Sequence, residues 1–183
     1  LSNMETDGRK VIEWMLGDQS KPVAFFKNMS HHLIKLDWQF MQAGANIILT
    51  RSPEEMLLSF SKVIDQPSMA DIGYAMQIEL LDYFKTKKLP FVVLDAKMVL
   101  QDPEGQLRKL STVVGIPFMQ EMLKWKQGPI PEDGIWAKYW YRNVHLSTGF
   151  QPYQKKKVEF PNHLVPLLKE CQPIYENLVK HAL

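Results

Sequence analysis

The chain reads as an α/β fold, a mainly parallel sheet flanked by helices in three layers. Three observations predict it. Short apolar runs of strand length, Val23 to Phe26, Ala45 to Thr50 and Phe91 to Asp95, alternate with helical stretches. The strands are separated by whole helices rather than by tight turns, which calls for crossover connections and parallel pairing. Finally, 183 residues of which 45% are hydrophobic are enough to bury one core, whereas two domains of this total size would each be small.

The elements follow in order. Thr6 to Leu16 has helical apolar spacing through Val11, Ile12, Met15 and Leu16, with Gly17 closing it. Val23-Ala24-Phe25-Phe26 follows as a strand that stops at Lys27. Asp37 is placed to cap a short helix through Gln42, which Gly44 ends. After the strand Ala45 to Thr50, Ser52 stands at a cap position, Pro53 at the first helical position and Glu55 three residues beyond the cap. That is the spacing of a capping box. Gln66-Pro67-Ser68 makes a turn, and one helix is expected over Ala70 to Lys87, broken by Leu89-Pro90. The strand Phe91 to Asp95 ends in a carboxylate, and Asp102-Pro103-Glu104 opens a helix that reaches Gly115. Beyond Gly128-Pro129-Ile130-Pro131 the chain turns aromatic, with Trp136, Tyr139, Trp140 and Tyr141. A last amphipathic helix runs from about Asn162 to the end, with Pro166 and Pro173 predicting a kink or break. The division is a single domain over 1–183, with core strand–helix units over 20–127 and an aromatic loop and helix over 128–183.

Composition excludes some functions. A net charge of +2 predicts no nucleic-acid surface, no apolar run is long enough for a membrane span, and a lone Cys171 allows neither an internal disulfide nor a cysteine zinc site. The single cysteine fits a reducing, cytoplasmic setting.

Chemistry concentrates at Ile47-Ile48-Leu49-Thr50-Arg51-Ser52-Pro53-Glu54-Glu55-Met56-Leu57-Leu58-Ser59. A guanidinium at the carboxyl end of a parallel strand stands where open α/β sheets bind ligands, and its planar fork matches phosphate geometry. The plain alternatives are an Arg51 ion pair with Glu54 or Glu55, and a Ser59 hydroxyl bonded to a carbonyl one turn back.

Arg51-x-Pro53 with Ser59 eight residues after the arginine resembles the sulfotransferase family of the P-loop superfamily, in its loop-and-helix element for the donor's 3′-phosphate. Val92-Val93-Leu94-Asp95, then Gln101-Asp102-Pro103, then Leu107 to Gly115-Ile116-Pro117-Phe118, is similar to the family's next strand–helix–helix unit. The likeness runs from about Lys21 to Trp125. Gly134-Ile135-Trp136 through His145-x-Ser147-Thr148-Gly149-Phe150 resembles a subgroup of sulfotransferase-like domains sometimes found beside aminotransferase-like domains.

The resemblance implies transfer of a sulfuryl group from 3′-phosphoadenosine 5′-phosphosulfate to a hydroxyl or amine of a small-molecule acceptor, without a metal. Arg51 and Ser59 would hold the 3′-phosphate. Lys27 would place its ammonium at the transferring group, and His32, in preference to His31, would take the acceptor's proton. Nothing between Leu1 and Ser20 resembles the family's glycine- and serine-rich phosphate loop. The expectation is therefore a fragment, or a form unable to transfer sulfuryl groups. Two other readings compete: a non-catalytic nucleotide-binding or assembly module of the same fold, attached to an aminotransferase-like domain, and a P-loop phosphotransferase.

Other residues are read more plainly. Asp95 is expected to cap the next helix or to orient Lys27 or Arg51. The Trp136–Tyr141 cluster is expected in the core more than in an adenine or acceptor stack. His145 with Ser147 and Thr148 is a candidate closure over the nucleotide, and Lys155-Lys156-Lys157 a solvated loop.

Overall fold

The computed structural model describes residues 5–131, 133–134, 137–155 and 158–183, and of His31 its backbone alone. Trp136, Lys156 and Lys157, singled out above, lie outside the described residues.

Helix α1 spans Gly8–Leu16 and starts where Asp7 accepts a hydrogen bond from the Arg9 amide. The chain then passes Val23 to Phe26 without forming a strand. Phe25 is 78% exposed and the run pairs with no strand among the described residues, so an apolar β-type sequence alone does not make sheet. A strand is held by the backbone ladder it makes with a neighbour, and this run makes none.

Two 3₁₀ segments follow, Ser30–Leu33 and Trp38–Ala43, the second capped by Asp37 through the Gln39 amide. Strand β1 is Asn46–Thr50 and strand β2 is Phe91–Asp95. They pair in parallel with Asn46 opposite Phe91 and Thr50 opposite Asp95, so both carboxyl ends finish level. On β1, Ile48 and Thr50 are buried while Ile47 and Leu49 face out; β2 is buried from Val92 to Asp95.

The connection between the strands carries three helices, α2 over Pro53–Phe60, α3 over Met69–Ile72 and α4 over Tyr74–Lys87, with a turn over 61–68. The single helix expected over Ala70 to Lys87 is two. Gly73 has φ of 75°, and a Cβ there would fall on the Ser30 hydroxyl, so the backbone turns at the one residue that can enter the left-handed region against that neighbour. After β2 come α5 (Ala96–Gln101) and α6 (Pro103–Val114). Asp102 accepts from the Gly105 amide to cap α6, Pro103 fills its first turn, and Gly115 closes it at φ of 74°. Two short helices, α7 (Ala137–Trp140) and α8 (Arg142–His145), precede α9 over Val165–Val179. A 3₁₀ turn at Asn162–Leu164 leads into α9. Pro166 sits in its first turn, where no amide bond is needed, and the helix continues through Pro173.

The core gathers one face of the sheet with α2, α4 and α9. Leu57, Leu81, Val93, Cys171 and Leu178 are wholly buried there, with Tyr74 and Phe84 beside them. The last residues return to the sheet: Ala182 bridges Val93 in parallel and the Leu183 amide donates to the Val93 carbonyl. Among the described residues no helix is long and apolar enough to cross a membrane.

Candidate functional site

The level carboxyl ends of β1 and β2 deliver Arg51 and Ala96 to the same edge of the sheet, Arg51 two residues before α2 and Ala96 at the start of α5. Arg51 is fixed at its main chain. The Tyr74 hydroxyl, from the first position of α4, donates to its carbonyl at 2.5 Å, and Tyr74 is buried. Burial in an apolar surround pushes that phenol's pKa well up, so it stays a proton donor.

The Arg51 side chain is 40% exposed, and its Nε meets Glu55 Oε2 at 3.3 Å. The ion pair weighed as the plain reading is therefore present, and Glu55 does not complete a capping box. Ser52 makes no side-chain cap; α2 begins on the Ser52 carbonyl, which accepts from the Met56 amide. The carboxylate that would have bonded the Ser52 amide has stronger partners, a guanidinium and a phenol. The other Glu55 oxygen, Oε1, accepts from the Tyr153 hydroxyl. The terminal nitrogens of Arg51 bond no described residue.

Ser59 follows Glu55 by four residues in α2, one turn on along the same side of the helix. The residue is half-buried and its hydroxyl makes no bond to a described residue, so the plain alternative, a back-bond to a carbonyl, is not made. Glu55 and Ser59 therefore share one side of α2, and Arg51 joins that side through its ion pair with Glu55. Beside them, Thr50 Oγ1 is buried without a hydrogen-bond partner among the described residues.

Asp95 takes the capping role weighed for it. Its Oδ1 accepts from the Met98 amide to start α5 and its Oδ2 from the Tyr175 hydroxyl at 2.8 Å, tying α9 to the strand tip. The Tyr175 phenol is pushed upward by burial first and by that carboxylate second.

Lys27 ends no strand. It is exposed in the extended segment, and its ammonium lies 5.6 Å from the centre of the Tyr141 ring. Tyr141 makes an edge contact with His145, whose Nε2 is 2.8 Å from Asp133 Oδ2. Asp133 also accepts from the Ile130 amide, and the His145 carbonyl accepts from the Gly128 amide, so this pair fastens the 128–133 loop to α8. Trp140 packs on Phe60, next to Ser59 in α2, at 5.5 Å between ring centres. His32 is exposed in the Ser30–Leu33 turn, which Ser30 seats against Gly73, next to the tyrosine that holds Arg51.

The described aromatics of this cluster are not core: Tyr139 and Trp140 are exposed and Tyr141 is half-buried. Ser147 is occupied structurally, accepting from Trp125 Nε1 and donating to the Val144 carbonyl. Lys155 is exposed in an irregular segment, as expected of a solvated loop, and pairs with Glu54 at 3.3 Å. His145 is a candidate from the sequence, but Asp133, its partner, is not, nor are Tyr74, Glu55 and Tyr153. Only Glu55 carried a local signal, its spacing of four from Arg51. Two surface hollows, about 910 and 660 Å³, lie elsewhere, one between α1 and the Trp38–Ala43 turn and one beside Trp125 and Phe150. Among the described residues no cluster of three or more His, Cys, Asp or Glu is placed to hold a metal ion.

A family model described as a sulfotransferase domain matches residues 1–182. Two curated proteins of Arabidopsis thaliana are similar to the chain. Branched-chain-amino-acid aminotransferase-like protein 2 is 39% identical over 99% of the chain, and branched-chain-amino-acid aminotransferase-like protein 1 is 39% identical over 100% of it. The chain spans 33% of the length of each. No solved structure matches it.

Proposed function

Because the chain belongs to the sulfotransferase domain family, we propose that it supplies the 3′-phosphate half of a nucleotide site in a sulfuryl-transferring protein with the family's three-layer α/β architecture. The observation that supports this most is Arg51: it stands directly beyond β1, its carbonyl is pinned by Tyr74, and its terminal nitrogens bond no described residue. Ser59, on the same side of α2, contributes a hydroxyl to the same phosphate. The donor is 3′-phosphoadenosine 5′-phosphosulfate and the acceptor a small molecule bearing a hydroxyl or amine.

In the transfer, the acceptor oxygen or nitrogen bonds to sulfur as the bond from sulfur to the bridging oxygen breaks. The electron pair leaves on the 5′-phosphate, giving adenosine 3′,5′-bisphosphate. Lys27 offsets charge at the transferring group, and His32 takes the acceptor's proton at an imidazole nitrogen. The lysine and backbone donors do the charge neutralisation, so the reading calls for no metal.

A second reading is favoured by the relatives: both are named aminotransferase-like and the chain covers a third of each. It is a non-catalytic nucleotide-binding or assembly module attached to such a domain.

Thermal unfolding with added adenosine 3′,5′-bisphosphate or ATP tests the nucleotide site. At a hundred times its Kd the bisphosphate stabilises by about 2.7 kcal/mol, and Arg51→Ala removes the effect. A preference for ATP, or an Arg51→Ala protein that responds like the parent, refutes the assignment. Bisphosphate binding without donor turnover over a panel of phenols, alcohols and amines favours the module.

A further inference from the structure

The loop after Phe150 is far from the phosphate element in sequence and pinned to it in space. Tyr153 donates to Glu55 Oε1, Lys155 pairs with Glu54 at 3.3 Å, and Lys97, from the first turn of α5, sets its ammonium 5.5 Å from the centre of the Tyr153 ring. The Glu55 side chain is only 13% exposed, and among the described residues each of its oxygens has one partner, Tyr153 on Oε1 and Arg51 Nε on Oε2.

That division matters because a guanidinium offers parallel N–H pairs to a carboxylate as readily as to a phosphate. A glutamate four residues along the helix, with both oxygens available, would clasp Arg51 through Nε and a terminal nitrogen together. The phosphate would then compete with an intramolecular partner that is always present. With one oxygen engaged by a phenol, Glu55 makes a single-point contact that orients the arginine while leaving its terminal nitrogens unclaimed.

We infer that Tyr153 is a positioning residue for the nucleotide site: its hydroxyl holds Glu55 to one-point contact with Arg51 and so keeps the arginine's terminal fork for the 3′-phosphate. The inference rests on the reading that Arg51 meets that phosphate. The Glu55 carboxylate also keeps the phenol protonated, since it raises the Tyr153 pKa chiefly through their hydrogen bond.

Calorimetric titration of the full chain tests this, with adenosine 3′,5′-bisphosphate and adenosine 3′-monophosphate as ligands. The proteins are the parent, Tyr153→Phe, Glu55→Gln, the double variant of these two, and Arg51→Ala. Losing a hydrogen bond to a charged group predicts about tenfold weaker binding of both ligands by Tyr153→Phe, with a melting temperature close to the parent's. In the Glu55→Gln background the same Tyr153→Phe change produces no further loss, because a neutral amide does not clasp the guanidinium. Unchanged affinity in Tyr153→Phe overturns the inference. So does a loss confined to the bisphosphate, or an equal loss in both backgrounds, which marks a merely structural role. A parent chain that binds neither ligand, or an Arg51→Ala protein that binds both as the parent does, refutes the underlying nucleotide reading and the positioning role with it.

Discussion

Tyr74→Phe probes the anchor of the strand tip with the smallest possible change. The ring stays and only the hydroxyl goes, so packing among Leu57, Leu81 and Val93 is preserved. What is lost is a 2.5 Å bond from a residue 2% exposed to the Arg51 carbonyl. A typical net hydrogen bond contributes about 1 kcal/mol, and a carbonyl left without its donor raises the cost to roughly 1.5–2 kcal/mol. For a chain of this length that lowers the melting temperature by about 3–8 °C. The assay is urea unfolding of parent and variant, followed by far-UV circular dichroism, with the m-value monitored so that a change in midpoint reads as stability. The same variant is then titrated with adenosine 3′,5′-bisphosphate, where a freer Arg51 main chain weakens binding several-fold. A Tyr74→Phe protein within about 0.5 kcal/mol of the parent, with unaltered nucleotide affinity, refutes the view that this phenol fixes the strand tip.

Two further outcomes follow from other sites. Gly73→Ala forces a side chain onto a backbone at φ of 75° and against the Ser30 hydroxyl, and destabilises by about 2 kcal/mol or more; adding Ser30→Gly restores part of the loss in urea unfolding, and no recovery means the contact is immaterial. Alkaline pH destabilises the fold: burial pushes the Cys171 thiol up to about 11 from 9.0 and the Tyr74 and Tyr175 phenols up from 10.0, so the unfolded chain releases protons first. That contribution is whole below pH 9 and declines as pH climbs past the ordinary thiol and phenol values, and a melting temperature flat between pH 8 and 11 contradicts it.

Much of this molecule could be read from local sequence because the deciding interactions are local. Asp37, Asp95 and Asp102 cap the elements they precede, Gly115 ends α6, and the strands over Asn46–Thr50 and Phe91–Asp95 have apolar runs bounded by polar residues. The misreadings arise where a distant partner decides. Val23 to Phe26 has strand composition but no strand beside it. The capping box at Ser52 fails because Glu55 is claimed by Arg51 and by Tyr153, the second of these 98 residues away. The break at Gly73 depends on Ser30, which spacing inside the helix cannot disclose. At the site, Arg51 and Ser59 were marked by a strand end and a helical offset. Tyr74 and Tyr153 carry no comparable mark, since a tyrosine in a helix or loop is ordinary until its hydroxyl is seen to reach a partner.

The parallel ladder bears on how fast the chain can organise itself. Asn46 is opposite Phe91 and Thr50 opposite Asp95, so no rung can form until three helices have been traversed. Such nonlocal pairing carries the loop-closure cost of the whole crossover before any rung repays it. The contacts of Leu57 and Leu81 with α9, where Leu178 is buried, close still longer loops, so they share that cost with the ladder. Refolding will then be slower than so helical a chain would suggest, a rate that stopped-flow measurement reads directly.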